Sequence, residues 1–225
     1  MFAAIRGHLA ASAPHDAVRA AHLAAAQGED VSARDEKSAP VTFEGTAVGR
    51  FRQALEAVAG KCFVVAGEAE AAEVLRQIAG QRGSRRVAVS DSPLAGRVTG
   101  LAALTAEVLE NATGEDLFDC DLGVTGAQWG VAETGTLVLE SDAERHRLAS
   151  LVPPAHVAVI ESRNVRQTLG EVLQAVSDRG ESGLSRAVTF ITGPSRTSDI
   201  ELTLAIGVHG PAELYVVVIG GEGNG

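Results

Sequence analysis

The feature that most constrains the fold of this chain is the repeated alternation of short apolar runs with longer amphipathic segments. The clearest runs are CFVVA, RVAVS, HVAVIE, AVTFIT and ELYVVVI, at residues 62–66, 86–90, 156–161, 187–192 and 213–219. Each run is too short for a helix and nearly continuous in apolar residues, which is typical of a strand buried on both faces. Because segments with helical spacing separate most of the runs, the sequence predicts right-handed βαβ units. We therefore expect an α/β fold with three layers, α/β/α, and a mostly parallel sheet.

Helical periodicity marks the segments between the runs. An apolar stripe from Val48 to Val58, followed by Gly60, predicts the first helix of the domain. Further helices are predicted at residues 68–80, 143–152, 164–180 and 199–207. The rhythm breaks between about residues 100 and 142, where apolar stretches follow one another without a full helix, and this region predicts strands or a hairpin-like insertion.

Composition divides the chain into four parts. An Ala-rich segment with helical spacing predicts a short helical appendage, and a charged, turn-rich segment with few apolar residues predicts a flexible linker. The α/β domain follows, and a glycine-rich stretch ends the chain as a flexible tail. These parts are residues 1–27, 28–46, 47–220 and 221–225.

Charge and cysteine content exclude several classes of function. A net charge of −10 and a pI near 5.1 argue against binding to nucleic acid or to an anionic membrane surface. Cys62 and Cys120 lie far apart without a CxxC pair, so no metal, iron–sulfur cluster or other cofactor is expected in this chain. No apolar stretch approaches the ~20 residues that span a bilayer, and the first residues make a poor signal peptide. We expect a cytoplasmic protein without membrane insertion.

The first polar segment that could carry chemistry is Glu133-Thr134-Gly135-Thr136, which opens directly into an apolar strand. The carboxylate is a candidate acid, base or nucleophile, and the two hydroxyls and the glycine backbone are candidate ligand contacts. A turn or bulge, with a solvated carboxylate and a glycine at positive φ, explains the same residues structurally.

The second polar segment runs from Gly193 to Glu201. Ser198 and Glu201 fit a capping box at the start of the helix predicted at 199–207, and Asp199 complements the helix N-terminus. The preceding residues place hydroxyls, a fixed cation and backbone N–H groups between the carboxyl end of a strand and a helix, which favours a site for a carboxylate or phosphate. These candidate ligand contacts are Gly193, Pro194, Ser195, Arg196 and Thr197, with Asp199 beside them. Alternatively, Asp199 simply pairs with Arg196.

His209, held in the sequence Gly-Val-His-Gly-Pro, is the second candidate catalytic residue, and Gly210 is a candidate ligand contact. A helix of ~8 residues is about 12 Å long. In a strictly parallel layout it would place His209 near the opposite edge of the sheet from Arg196. A hydrogen-bonded turn histidine is the structural alternative.

Four segments together resemble the LUD domain of the lactate utilization protein C family. They are GVAETGTLVLES, LASLVPPAHVAVIE, ITGPSRTSDIE and GVHGP, at 130–141, 148–161, 191–201 and 207–211, in the order that the family shows. The resemblance covers about residues 47–220, and the family's motifs fall on the candidate residues named above. It carries no catalytic assignment, and Ser198 departs mildly from the family, in which Ala is common.

The resemblance implies a fold similar to the group that contains glucosamine-phosphate deaminase, ribose-phosphate isomerase and the CoA transferases. It also implies a part in oxidising L-lactate to pyruvate, together with partner proteins that carry iron–sulfur clusters. Since the chain lacks cysteine-rich segments, it resembles the cluster-free component of such a system.

Three hypotheses about function follow. In the first, the chain is a component of an L-lactate oxidation system and binds a small carboxylate or other anion. In the second, it is a stand-alone transferase or isomerase that acts on a phosphorylated or CoA-linked small molecule with Glu133 as nucleophile or base. In the third, it is a scaffold whose motifs serve folding. Whether the chain is itself an enzyme stays open among the three.

Overall fold

The computed structural model describes residues 45–144, 147–178, 185–198, 204–206 and 210–220. The chain divides into two units, Met1–Glu44 and Gly45–Gly225, and every described residue belongs to the second. The predicted appendage at 1–27 and tail at 221–225 lie outside the described residues, and so does the predicted linker at 28–46 apart from its last two residues.

Strands and helices alternate along the described part of the chain. The strands are β1 Lys61–Val65, β2 Arg86–Val89, β3 Glu107–Glu110, β4 Leu122–Gly126, β5 Trp129–Val131, β6 Thr136–Glu140, β7 Ala155–Glu161, β8 Val165–Arg166, β9 Val188–Ile191, β10 Arg196–Ser198, β11 Leu204–Ile206 and β12 Glu213–Ile219. The α-helices are α1 Ala47–Ala57, α2 Glu68–Arg82, α3 Pro93–Ala102, α4 Gly114–Phe118 and α5 Leu169–Ser177. Two 3-10 turns lie at Arg147–Ser150 and Ser162–Asn164.

A six-stranded parallel sheet forms the centre of the domain. Its strand order is β1-β12-β7-β4-β2-β3, and every pair of neighbours is parallel. The central strands β7 and β12 are buried along almost their whole length, as their continuous apolar runs predict. The predicted α/β class with a mostly parallel sheet is therefore confirmed.

A second, mixed sheet has the order β8-β5-β6-β9. β5 and β6 form an antiparallel hairpin, β9 pairs antiparallel with β6, and β8 pairs parallel with β5. The predicted hairpin-like insertion is thus the start of a sheet of its own. The apolar run at 187–192 is a strand, as predicted, but it joins this second sheet instead of the central one.

The helix predicted at 199–207 is wrong over the part that the structure describes. β10 pairs antiparallel with β11, joining Arg196 to Ile206 and Ser198 to Leu204. Ser198 therefore lies in a strand and not at a helix N-cap. Residues 199–203 and 207–209 lie outside the described residues. The capping pattern is a local signal, and the pairing of two separated segments overrides it.

Two other predicted helices differ from the structure. In place of a helix over 143–152, the described residues show the 3-10 turn Arg147–Ser150. In place of a helix from residue 164, the chain forms β8 and then begins α5 at Leu169, where the Thr168 hydroxyl accepts a hydrogen bond from the Glu171 N–H at 3.2 Å. The helix α3 was not predicted, although Ser92 and Pro93 are typical of a helix start.

The two faces of the central sheet are covered differently. On one face, α2 and α3 pack through side chains such as Leu75 and Val98 against sheet residues such as Val157. On the other face, α1 and the second sheet form a shared core that includes Phe51, Leu55 and other fully buried side chains. Burying a side chain of this size contributes about 1.5–3 kcal/mol. α5 covers the outer side of the second sheet. Part of the second polar motif lies in the space between the two sheets.

Candidate functional site

A cavity of about 230 Å³ lies between the central sheet and the second sheet. It sits at the amino-terminal ends of β7 and β12, whose second residues, His156 and Leu214, are paired in register and both line it. The remaining lining residues are Ser150 and Leu151, Thr189 to Ser195, and Gly210 and Pro211. Four residues predicted as ligand contacts are in this wall: Gly193, Pro194, Ser195 and Gly210.

The loop after β9 and the turn before β12 lie side by side. The Ser195 N–H donates a hydrogen bond to the Pro211 carbonyl at 2.8 Å. A Cβ added to Gly210 would lie 3.2 Å from the Ser195 Cβ, so a larger residue would crowd this contact. The two motifs are neighbours because the β10–β11 hairpin replaces the predicted helix, which would have kept them about a helix length apart. His209 and Asp199 themselves lie outside the described residues.

Two predicted contacts of the loop after β9 lie on the end of α1. The Arg196 guanidinium donates through Nη2 to the Val58 carbonyl at 2.9 Å, where a cation complements the helix C-terminus. Gly193 has φ +80°, and an added Cβ would lie 2.8 Å from the same carbonyl oxygen. Arg196 is exposed and is not among the residues that line the cavity. For Thr197 the structure gives only its place in β10.

Glu133 caps a helix in this structure. Its Oε1 accepts a hydrogen bond from the Leu169 N–H at 2.7 Å, at the first turn of α5. A carboxylate at this place offsets the partial positive charge of the helix N-terminus. Glu133 does not line the cavity.

Gly135 is a close-packing position. Its φ is +64°, and an added Cβ would lie 2.3 Å from the Leu55 backbone nitrogen. No side chain fits there, because α1 passes directly over the turn between β5 and β6. The glycine therefore allows the second sheet to approach the helix backbone.

Three threonine hydroxyls join the two motifs. Thr134 Oγ1 lies 2.7 Å from Thr136 Oγ1, and Thr136 Oγ1 lies 2.7 Å from Thr192 Oγ1. Thr192 also lines the cavity. Thr136 is buried, so its hydroxyl needs the partners on both sides. The chain of hydroxyls connects the turn that carries Glu133 to the wall of the cavity.

His156 also lines the cavity, although it is not among the predicted site residues. Its side chain is 1% exposed, and its Nε2 lies 2.8 Å from Thr125 Oγ1 on β4. Burial lowers the pKa of His156 to about 3, so the ring is neutral. Its Nδ1 is buried and has no hydrogen-bond partner among the described residues. The available signal was the histidine itself, which opens the otherwise apolar strand HVAVIE.

A second cleft, of about 440 Å³, lies at the carboxyl-terminal edge of the central sheet. Ligands of open parallel sheets commonly bind at this edge, and the sequence predicted the motif loops there. The structure places none of the predicted site residues in its wall. Its lining residues are Ser92 to Leu94, Arg97, Gly126 to Trp129, Glu161, Arg163 and Asn164.

Glu144 lies buried beside this cleft. Burial raises the pKa of its carboxyl to about 7, and the neighbouring Ser90 hydroxyl, Gln128 amide and Ser92 hydroxyl act in the opposite direction. Its Oε1 would lie 2.5 Å from a Cβ added to Gly126, which lines the cleft. Its Oε2 has no partner at hydrogen-bond geometry within the described part of the chain.

The described residues offer neither a metal site nor a membrane-spanning helix. No group of three or more His, Cys, Asp or Glu side chains there could hold a metal ion. No described helix is both long enough and apolar enough to cross a membrane.

Comparison with known proteins places this architecture among relatives. A family model described as the LUD domain matches residues 48–219. A crystal structure of a DUF162 family protein from Deinococcus radiodurans is similar, with a TM-score of 0.59 and 25% identity; the match covers 77% of this chain and 96% of the other.

Two curated relatives are more similar in sequence. An uncharacterized protein from Neisseria meningitidis is 41% identical over 99 residues, which is 44% of this chain and 42% of the relative. A lactate utilization protein C from Deinococcus radiodurans is 40% identical over 106 residues, which is 47% of this chain and 49% of the relative. The chain thus spans about half the length of these curated relatives.

Proposed function

The chain belongs to the LUD domain family, and we propose that it takes part in lactate utilization as a component of a system that oxidises L-lactate to pyruvate. The observation that carries the proposal is the 40% identity to a relative named lactate utilization protein C. Further relatives of that name, from Halalkalibacterium halodurans and Bacillus mycoides, support the same role.

The proposed ligand is a small carboxylate held in the cavity between the two sheets. A volume of about 230 Å³ lies below the ~300–1,000 Å³ typical of pockets for drug-sized molecules, which suits a three-carbon acid. The wall includes uncharged polar residues, among them Ser150, Thr192 and Ser195. Such groups orient a small ligand by hydrogen bonds, and Leu151 and Leu214 offer apolar contacts.

The proposed system includes partner proteins that carry iron–sulfur clusters, in the cytoplasm. Oxidation of L-lactate to pyruvate releases two electrons and two protons, and the electrons would pass to those partners. The support for this part of the proposal is the family resemblance of the motif segments.

Growth on lactate tests the role. Deletion of the gene in the source organism is expected to abolish or strongly slow growth on L-lactate as the sole carbon source, while growth on pyruvate stays normal. A plasmid copy should restore growth, which controls for effects on neighbouring genes. Normal growth of the deletion strain on L-lactate would contradict the proposed role in lactate utilization.

The transferase or isomerase hypothesis gains no support from the site. Its nucleophile, Glu133, is engaged with the Leu169 N–H and stands outside the cavity wall. We therefore do not propose it as a second function.

A further inference from the structure

The connections of the central sheet change face between β2 and β4, which are parallel neighbours. After β2 the chain crosses to β3 through α3, on the face that α2 and α3 cover, whereas after β4 it enters the second sheet on the opposite face. In open parallel sheets, the crevice between two such diverging loops is the usual place of a ligand. The cleft of about 440 Å³ lies there, because Ser92, shortly after β2, and Gly126, the last residue of β4, both line it.

Positively polarised groups from two elements line this cleft. Ser92 and Pro93 begin α3, whose N-terminus carries a partial positive charge. Arg97 lies one turn further along the same helix, and Arg163 lies in the 3-10 turn after β7. A helix N-terminus and two guanidinium groups around one space are typical of a site for an oxyanion.

Both arginines keep hydrogen-bond donors available. Glu68 accepts hydrogen bonds from Nε and Nη2 of Arg97 at 3.1 and 2.8 Å, and Glu161 accepts from Nε and Nη2 of Arg163 at 3.0 and 2.6 Å. Among the described residues, neither Nη1 has a protein acceptor. Each Nη1 therefore has two N–H groups to offer a ligand, on a guanidinium that its glutamate already holds along one edge.

The acidic side chains around the cleft are compatible with an anion. Glu161 also lines the cleft, but its carboxylate is paired with Arg163. Glu144 is fully buried beside the cleft, and burial raises its pKa to about 7, so its carboxyl is partly uncharged at neutral pH. Asp91 lines the neighbouring cleft and not this one.

The size and the remaining wall of the cleft narrow the class of ligand. A volume of about 440 Å³ lies within the ~300–1,000 Å³ typical of small-molecule pockets, so it holds more than a single oxyanion. Leu94, Ala127 and Trp129 add apolar surface for an organic part. Because the donors lie on separate elements, they suit the three terminal oxygens of a phosphate ester better than the two coplanar oxygens of a carboxylate.

We propose that the cleft at the carboxyl ends of β2 and β4 is a second ligand site, which binds the phosphate group of a small phosphate ester through Arg97, Arg163 and the N-terminus of α3. The organic part of the ester lies against Trp129. The inference does not rest on the proposed role in lactate utilization, since the cavity proposed for the carboxylate lies at the opposite ends of the central strands.

Titration of the full chain with phenyl phosphate at constant ionic strength tests the proposal. Calorimetry is expected to show saturable binding with a Kd of about 1 mM or below. Trp129 is the only tryptophan of the chain, so a change in its fluorescence along the same titration places the ester in the cleft. Absence of saturable binding would overturn the proposal, and so would binding that leaves the fluorescence of Trp129 unchanged.

Arg97→Ala and Arg163→Ala test the two guanidinium groups. Arg52→Ala is the matched control, because Arg52 is also exposed and paired with a glutamate but lies on α1. We expect each cleft variant to weaken the binding of phenyl phosphate at least fivefold, and the control to stay within twofold of the wild type. Unchanged affinity in both cleft variants contradicts the proposal. If one variant fails to fold, the other variant and the wild-type fluorescence still decide.

Competition with pyruvate separates this site from the cavity. Pyruvate bound in the cavity should leave the titration with phenyl phosphate unchanged, since the two sites do not share a lining residue. Displacement of phenyl phosphate by pyruvate would show that the cleft takes carboxylates, and would overturn its assignment to phosphate esters.

Discussion

At the scale of single residues, the glycine of the ETGT motif has a structural explanation that does not depend on a ligand. Gly135 combines a positive φ with direct contact to the backbone of α1 at Leu55. Its neighbours Thr134 and Thr136 are engaged with each other. From sequence, a turn and a ligand contact were both consistent with this motif, because both need a glycine and hydroxyls. Only the position of α1 distinguishes the structural turn from the ligand contact, and no local sequence pattern encodes that position.

The substitution Gly135→Ala is expected to destabilise the domain by about 3 kcal/mol or more, since a strained φ alone costs about 1–3 kcal/mol and the overlap adds to it. Gly80→Ala is the matched control: Gly80 is exposed in α2 with open space at its Cβ, and alanine there should stabilise by about 0.5–1 kcal/mol. Urea unfolding of both variants measures the difference. Equal stability of the two variants would show that Gly135 is not packed against α1.

The stability of the domain is predicted to depend on pH through Glu144. Burial raises its folded-state pKa from 4.5 to about 7, so between these values the folded protein holds a proton that the unfolded chain has released. The contribution of Glu144 to stability therefore falls as pH rises through this window, at up to about 1.4 kcal/mol per pH unit. Glu144→Gln should remove that dependence, making the variant comparatively more stable at pH 8 than at pH 5. Parallel stability curves of wild type and variant would contradict it.

At the scale of secondary-structure elements, α1 organises the motif region. Its C-terminal carbonyl at Val58 accepts the hydrogen bond from Arg196 and lies against Gly193, and its backbone at Leu55 lies against Gly135. Both motifs therefore pack on one helix, although they are about 60 residues apart in the sequence. This arrangement favours a structural role for Arg196. The residues of the cavity wall are then the ones expected to bind the small carboxylate.

Arg196→Ala accordingly tests the role of that cation. We expect a loss of stability of up to about 1 kcal/mol from the missing helix-end contact, with the affinity for pyruvate within twofold of the wild type. Arg52→Ala, on the exposed side of the same helix, controls for the loss of a surface arginine. A tenfold loss of affinity for pyruvate in Arg196→Ala, without such a loss in Arg52→Ala, would contradict the structural role and indicate that Arg196 binds the ligand.

Glu133→Gln tests whether the Glu133 carboxylate has a structural role or a chemical one. The substitution keeps an oxygen acceptor for the Leu169 N–H but removes the charge at the start of α5. A loss of stability of up to about 1 kcal/mol is expected, with pyruvate binding unchanged. Thermal unfolding and calorimetric titration measure the two effects. Complete loss of binding with normal stability would support a chemical role for Glu133.

The elements show where sequence reasoning succeeds and where it stops. The central strands were predicted because a strand buried on both faces has a continuous apolar run, which is a local signal. The helix predicted at 199–207 was wrong because Ser198 and Glu201 mimic a capping box, whereas the pairing of Arg196 with Ile206 is non-local. His156 was not among the predicted site residues for the same reason, since its contact with Thr125 joins two different strands.

At the scale of the whole molecule, two sites lie at opposite ends of the central strands. Gly193, Pro194, Ser195 and Gly210 line the cavity at the amino-terminal ends of β7 and β12, and the cleft beside Glu144 lies at the carboxyl-terminal edge. Open parallel sheets usually bind ligands at the carboxyl-terminal edge, where the cleft lies. The second sheet changes this expectation, because β9 and the loop after it form one wall of a partly open cavity at the amino-terminal ends.

A crystal structure of the protein with pyruvate tests this account most directly. Pyruvate is expected in the cavity between the two sheets, with its oxygen atoms within hydrogen-bond distance of the Thr192 or Ser195 hydroxyl and its carbon frame against Leu214. Pyruvate bound in the cleft between Ser92 and Arg163, with the cavity unchanged, would contradict the central claim.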